Sequence, residues 1–181
     1  AAVAPVKAFG KPVMDVIGPM PYAAVNTLFD AGFPRGALNY WKSNFLADLK
    51  DAAIDTLIER FAAAPSPMSA LLLEHFHGAA TRVGPTETAF PHRSVGYNFL
   101  TVGEWLEGAE SRANTAWVRE TYAAMAPHFS SGRYVNYLNA DEVTEGDAVA
   151  AAFGPNGKRL REVKRRYDPD NVFHLNQNIK P

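Results

Sequence analysis

The sequence predicts an α+β fold in which an antiparallel sheet is covered by helices. Strand-like segments come singly or in pairs with helical segments between them, and several strands mix polar with apolar residues, the pattern of a sheet packed on one side. No internal repeat, low-complexity tract or linker rich in Gly, Ser or Pro divides the 181 residues, so one folded unit is the simplest expectation.

Each element has its own signal. After the Gly18-Pro19-Met20-Pro21 breaker, Tyr22, Val25, Leu28 and Phe29 recur at helical spacing, and Gly32 with Pro34 ends the pattern. Residues 37–45 (ALNYWKSNF) carry aromatics without helix caps and read as a strand. Leu46, Leu49, Ala53, Leu57, Ile58 and Phe61 then mark a helix closed by Pro65. Residues 71–77 form a short run bounded by Gly78, which fits a buried strand. A further strand is expected over 95–102, then a long helix over 109–125 bearing Trp117, Val118, Tyr122 and Met125 and stopped by Pro127. Residues 134–138 read as a strand, and 147–153 and 158–166 as helices. Asp168-Pro169-Asp170-Asn171 is a turn that opens a C-terminal tail.

Composition narrows the functional classes. With 47% hydrophobic residues the chain can bury a real core. A net charge of -1 removes the electrostatic ground for nucleic acid or an anionic membrane as partner. The absence of cysteine excludes a disulfide scaffold, a thiolate metal site and a thiol nucleophile built from these residues. No apolar run approaches the roughly 20 residues that span a bilayer, so the chain reads as soluble, with its compartment undetermined. Its alanine-rich composition points to a bacterial source. No glycine-rich phosphate loop is present, so a nucleotide cofactor would be held mainly by other residues than these.

Four constellations could carry chemistry. In Glu74-His75-Phe76-His77, strand alternation puts the two imidazoles on one face and Glu74 with Phe76 on the other. His75, His77 and His92 could share a divalent metal, although strand histidines are often simply hydrogen-bonded and no carboxylate cluster is spaced to complete the shell. Tyr134-Val135-Asn136-Tyr137 sets two phenols and an amide together; a phenol serves as base only where a cation or an oriented hydrogen bond stabilises phenolate, and aromatic packing is the alternative. The cations Lys158, Arg159, Arg161, Lys164, Arg165 and Arg166 flank an apolar stripe of Leu160, Val163 and Tyr167, a solvated helix face or a docking face for an acidic partner. The tail amides Asn176, Gln177 and Asn178 could read the edge of a planar heterocycle, or form a plain polar loop.

Their order along the chain is specific. Tyr134-Val135-Asn136-Tyr137 is followed by Phe153-Gly154-Pro155-Asn156, Arg159-Leu160, Val163-Lys164, Tyr167-Asp168-Pro169-Asp170-Asn171-Val172-Phe173 and Asn176-Gln177-Asn178-Ile179. This series closely resembles the C-terminal signature of berberine bridge enzyme-like oxidases, of the vanillyl-alcohol oxidase superfamily. Upstream, Thr88-Ala89-Phe90-Pro91-His92-Arg93, Tyr97, Trp105, Trp117-Val118-Arg119 and Tyr122 resemble the substrate domain of that family, and Tyr40-Trp41-Lys42-Ser43 is similar to its bacterial members.

The resemblance implies that 1–181 is a C-terminal substrate-binding domain, with 134–181 the berberine bridge enzyme-like motif, lacking an N-terminal FAD-binding domain or companion chain. It implies FAD as cofactor, held mainly by that missing part, hydride transfer from an alcohol, sugar or secondary metabolite, and molecular oxygen as acceptor. It places Tyr137 as base, Tyr134, Asn136 and Asn176 beside the flavin, and Trp41, Glu74, Phe76 and Asn98 around the substrate. Asn98 stands where plant alkaloid members carry an acidic residue, which argues against plant-like substrates. In a regular strand Asn136 and Tyr137 face opposite ways, so both reach one site only if the strand ends or bends there. A flavin-facing surface left bare would be apolar and aromatic, and would favour a homodimer or a partner chain. The competing readings are a metal-dependent enzyme built on the histidines and a stand-alone small-molecule binding domain.

Overall fold

The computed structural model describes residues 2–106, 111–143, 147–175 and 177–181. Its contacts divide the chain into two compact units, Ala1–Arg35 and Gly36–Pro181, where the sequence led us to expect one. The first unit holds helices α1 (Ala4–Ala8) and α2 (Tyr22–Val25) and a 3-10 turn at Asp30–Gly32. None of its described residues is buried. The expected helix through Phe29 therefore has no apolar face to sustain it, and it stops at Val25, where the Thr27 hydroxyl donates back to the Ala24 carbonyl.

The second unit is a three-stranded antiparallel sheet with helices. In order it comprises β1 (Leu38–Leu46), α3 (Asp51–Ala62), β2 (Ala70–Phe76), β3 (Gly96–Trp105), α4 (Ser111–Met125), α5 (Ala140–Val143), α6 (Asp147–Phe153) and α7 (Gly157–Tyr167). The strand order is β1-β3-β2, so β3 is central and both sequence neighbours are edges. This is the α+β architecture that the patterning predicts.

Register assigns the faces. β1 pairs Phe45 with Asn98 and Trp41 with Val102, while β2 pairs Glu74 with Asn98 and Phe76 with Gly96. Paired residues share a face, so Trp41, Phe45, Glu74, Phe76 and Asn98 lie on one side and Leu46, Tyr97 and Phe99 on the other. Leu46, Phe99, Ala53 and Leu57 of α3, and Met125 of α4 form the buried core against that second side. Full burial of Leu46, Phe99 and Met125 stabilises by about 1.5–3 kcal/mol each. α3 and α4 are lashed together by the Trp117 indole donating to the Arg60 carbonyl (2.8 Å) and the Arg60 guanidinium donating to Thr121 (3.2 Å).

Boundaries differ from the sequence reading: β3 runs on to Trp105 where a strand ending at Val102 was expected. Leu46 ends β1 instead of opening a helix, because it pairs with Tyr97 and fills the core, and α3 starts only at Asp51. The long helix is described over Ser111–Met125, and 109 and 110 lie outside the described residues. At the start of β3 a Cβ on Gly96 would stand 2.3 Å from the Leu46 carbonyl oxygen, so only glycine allows this approach of β3 to β1.

Candidate active site

Residues 134–138 do not form the expected strand. Val135–Tyr137 is a 3-10 turn, closed by the Tyr137 amide donating to the Tyr134 carbonyl (3.0 Å). The Tyr137 carbonyl, which a ladder would otherwise satisfy, accepts instead from the Trp41 indole at 3.1 Å. The turn removes the conflict between Asn136 and Tyr137. Asn136 is exposed and its amide donates to the Tyr134 hydroxyl (3.1 Å), while the Tyr137 hydroxyl donates to Glu74 Oε1 at 2.7 Å.

Glu74 gathers the centre. Its second oxygen, Oε2, accepts from the Asn98 amide across the strand pair at 2.6 Å, and Asn98 itself is only 2% exposed. The carboxylate is thus fixed by a buried amide on one side and a phenol on the other, while Glu74 stays open to solvent. Burial first, then acceptance of its proton by Glu74, the negative charge of Glu74 and the neighbouring Tyr134 push the Tyr137 phenol well above its ordinary value. Tyr137 therefore holds its proton at neutral pH, and the group able to take a proton is the carboxylate behind it. No described cation stands beside Tyr137 to stabilise a phenolate.

An aromatic wall runs into this centre. Phe76 meets Phe90 (5.8 Å between ring centroids), Phe90 meets Tyr134 edge-on (5.5 Å), and Tyr134 meets Tyr137 edge-on (5.1 Å). A recess of about 250 Å³ lined by Phe45, Phe76, Pro91, His92, Gly96 and Ser131 opens at the far end of the wall. It contains neither Tyr137 nor Glu74, which are joined by their hydrogen bond on the Asn98 face of the sheet, and the chemistry gathers around that bond. Of the residues singled out from sequence, Tyr137, Glu74, Asn98, Trp41, Asn136 and Tyr134 are linked by direct hydrogen bonds, and Phe76 joins through Phe90.

Two residues of this centre were missed. Phe90 links the wall, and only its place before Pro91 and His92 singled it out. Asn139 donates to the Trp41 carbonyl (2.9 Å) and caps α5: its side chain accepts from the Ala140 amide while Glu142 accepts from the Asn139 amide. The signal was available, since Asn139 with Glu142 three residues on is a capping box.

The tail approaches the same turn. The Gln177 amide donates to the Leu138 carbonyl at 3.3 Å, and Asn178 carries a buried, unpartnered Oδ1. Asp168 braces the tail start by accepting from the Val172 and Phe173 amides and from Lys164. Asn176 lies outside the described residues. Amides and phenols beside a free acceptor are the donor set suited to a heterocycle with carbonyls and ring nitrogens, so these residues fit a flavin edge.

The histidines do not converge. His75 stacks on Tyr97 (5.0 Å) and His77 (5.3 Å) on the helix-covered side of the sheet. His92 packs on Phe45 and Phe90 and hydrogen-bonds to the Ala152 carbonyl (3.1 Å). Among the described residues no group of three potential ligands could hold a metal ion, so the shared site at His75, His77 and His92 is not assembled. No described helix is long and apolar enough to cross a membrane.

Residues 133–180 match the family model described as berberine and berberine like. The chain is 27% identical over 176 residues to a tetrahydroberberine oxidase of Berberis wilsoniae, covering 88% of this chain and 33% of the relative. It is 28% identical over 176 residues to the uncharacterized FAD-linked oxidoreductase YgaK of Bacillus subtilis, covering 95% and 38%. The fold superposes with a TM-score of 0.70 on a glycopeptide hexose oxidase complexed with teicoplanin, at 26% identity, over 81% of this chain and 33% of that one. The chain thus spans about a third of the length of the curated relatives it matches. Residues 133–180 thus carry the berberine and berberine like signature, and through most of its length the chain is similar to FAD-linked oxidoreductases.

Proposed function

We propose that 1–181 is the C-terminal substrate domain of a flavoprotein that oxidises an alcohol, sugar or other secondary metabolite. An N-terminal FAD-binding domain or companion chain holds most of the cofactor, and molecular oxygen takes the electrons. The carrying observation is the Asn98–Glu74–Tyr137 relay, in which a buried amide and a phenol meet at a solvent-exposed carboxylate, next to amides suited to a flavin edge. Tyr134, Asn136 and Asn178 would face FAD, which when bound supplies the two-electron acceptor; Asn176, expected beside the flavin from the resemblance, lies outside the described residues.

The proton path follows from the hydrogen bonds. Because Tyr137 donates to Glu74, its phenolic oxygen is left to accept the substrate hydroxyl. As the substrate O–H breaks, its proton passes to Tyr137 and the phenol proton passes to Glu74 Oε1, which ends as a carboxylic acid; the carbinol hydrogen would leave with its bonding pair, as hydride, for the two-electron acceptor that bound flavin supplies, and the substrate is left as a carbonyl. Asn98 keeps the carboxylate aimed, and Phe76 and Phe90 wall the substrate. An alanine-rich composition favours a bacterial source.

The test is anaerobic reduction of the flavin in the complete protein by a panel of alcohols and sugars. At least one should bleach the flavin, and Tyr137→Phe should retain flavin yet slow the bleaching by roughly 100-fold or more. An unchanged rate would remove Tyr137 from the reaction.

A further inference from the structure

We propose that Tyr40-Trp41-Lys42 in β1 is a clamp that positions Tyr137 on Glu74, with Trp41 acting through Tyr137 and not as a wall of the substrate pocket. The inference rests on the proton relay described above. β1 is an edge strand, and the segment 137–142 crosses that edge. Three consecutive β1 residues grip it from both faces of the sheet.

On the site face, the Trp41 indole donates to the Tyr137 carbonyl and the Trp41 carbonyl accepts from the Asn139 side chain, a reciprocal pair at 3.1 and 2.9 Å. On the helix face, the Tyr40 hydroxyl donates to Asp141 at 2.5 Å, and Lys42 lies 3.8 Å from Asp141 and 3.6 Å from Glu142. Lys42 and Glu142 are largely buried, with side chains 14% and 6% exposed, so the pair is shielded from salt. Burial raises the Asp141 carboxyl, but Tyr40, Lys42 and Arg119 together outweigh it and hold Asp141 ionised. Arg119 completes the cluster by donating to both Tyr40 and Asp141.

The two grips meet at Asn139. Its amide is accepted by Glu142, which Lys42 holds, and its side chain reaches Trp41, which holds Tyr137. Tyr137 is otherwise carried on one 3-10 turn, which cannot by itself fix a phenol against a carboxylate on β2, two strands away in the sheet. Small displacements of a reacting group cost large factors in rate, so a clamp here acts on the limiting rate and leaves substrate affinity alone.

The experiment uses Trp41→Phe and Asn139→Asp in the complete flavoprotein. Trp41→Phe keeps a ring and loses the indole donor; Asn139→Asp keeps the cap on Ala140 and loses the donor to Trp41. Each should slow the limiting rate of anaerobic flavin reduction at least about tenfold, with substrate dissociation constant changed by less than about twofold. The double variant should be no slower than the slower single variant, and neither change should slow a Tyr137→Phe protein further. Hydrogen exchange over 135–143 reads the clamp without substrate and should accelerate in both variants. Weaker substrate binding at an unchanged limiting rate would make Trp41 a pocket wall and overturn the proposal, as would additive effects or unchanged exchange. A harmless Tyr137→Phe together with faster exchange would instead sink the proton relay and leave the clamp standing.

Discussion

Replacing Glu74 with glutamine probes the centre most directly. Glutamine keeps the length and planarity of the side chain, so its carbonyl can still accept from Tyr137 and its position opposite Asn98 is retained. What it lacks is a site that takes up the proton arriving through the phenol. A positioned general base contributes about 10²- to 10⁴-fold, equivalent to about 2.7–5.4 kcal/mol of barrier. Because Glu74 is open to solvent, the same change should alter folding stability by less than about 1 kcal/mol. The assay is rapid-mixing anaerobic reduction of the flavin in the complete protein, with thermal unfolding as control. Glu74→Gln and Tyr137→Phe should show similar losses, and the double variant should lose little more than either, since both interrupt one relay. A Glu74→Gln protein that reduces its flavin within about threefold of the parent rate would refute the relay. So would losses that multiply in the double variant.

Three further predictions concern the frame around the site. Gly132 sits at φ +102°, and a Cβ there would stand 2.4 Å from the His92 ring, so Gly132→Ala should cost about 2–4 kcal/mol in chemical denaturation; an unchanged midpoint would mean that the ring moves aside freely. Asn156 is buried and its amide donates to the carbonyls of Pro85 and Thr88 at 2.9 and 3.0 Å; Asn156→Ala should cost about 1–3 kcal/mol, read by the same measurement, and a neutral result would mean that water replaces the amide. Burial depresses the pKa of the His92 imidazole, so the folded state prefers it neutral while the unfolded chain protonates near pH 6.5. That contribution to stability is fully present above about pH 6.5 and is lost as pH falls from there through the depressed folded value, so scanning calorimetry should show a falling unfolding temperature on acidification that His92→Gln flattens. An identical acid decline in the variant would place its cause elsewhere.

Which side chains share a face was readable because strand residues alternate in direction, although burial does not alternate, all of β3 but Tyr97 being buried and none of β2. Glu74 with Phe76 on one face, and His75 with His77 on the other, follows from period two and holds in the structure. Ladder ends were less readable, since Leu46 is as apolar as the helix residues after it and only pairing with Tyr97 decides its state. Residues 134–138 misled because aromatic and β-branched residues favour strands, yet a strand needs a partner and here a single indole satisfies the carbonyl instead. The conflict between Asn136 and Tyr137 did announce that a regular strand could not serve. The carboxylate acceptor of Tyr137 was not foreseeable, because 63 residues separate the two and only the β2–β3 register brings Glu74 into reach. That the phenol is held protonated followed only once this neighbour was known.

The pairing of β2 with β3 also carries information of another kind. Side chains alternate between the two faces, so a slip of β2 by a single residue would turn Glu74 toward the helices and present His75 in its place. The protein would then keep a sheet, a core and an aromatic wall, but the side chain beside Asn98 would have become an imidazole in place of a carboxylate. Chemical identity here is therefore decided during strand docking, before any substrate arrives. The close passage of Gly96 beneath the Leu46 carbonyl guards that decision, because it locks β3 against β1 and leaves β2 a fixed template to read.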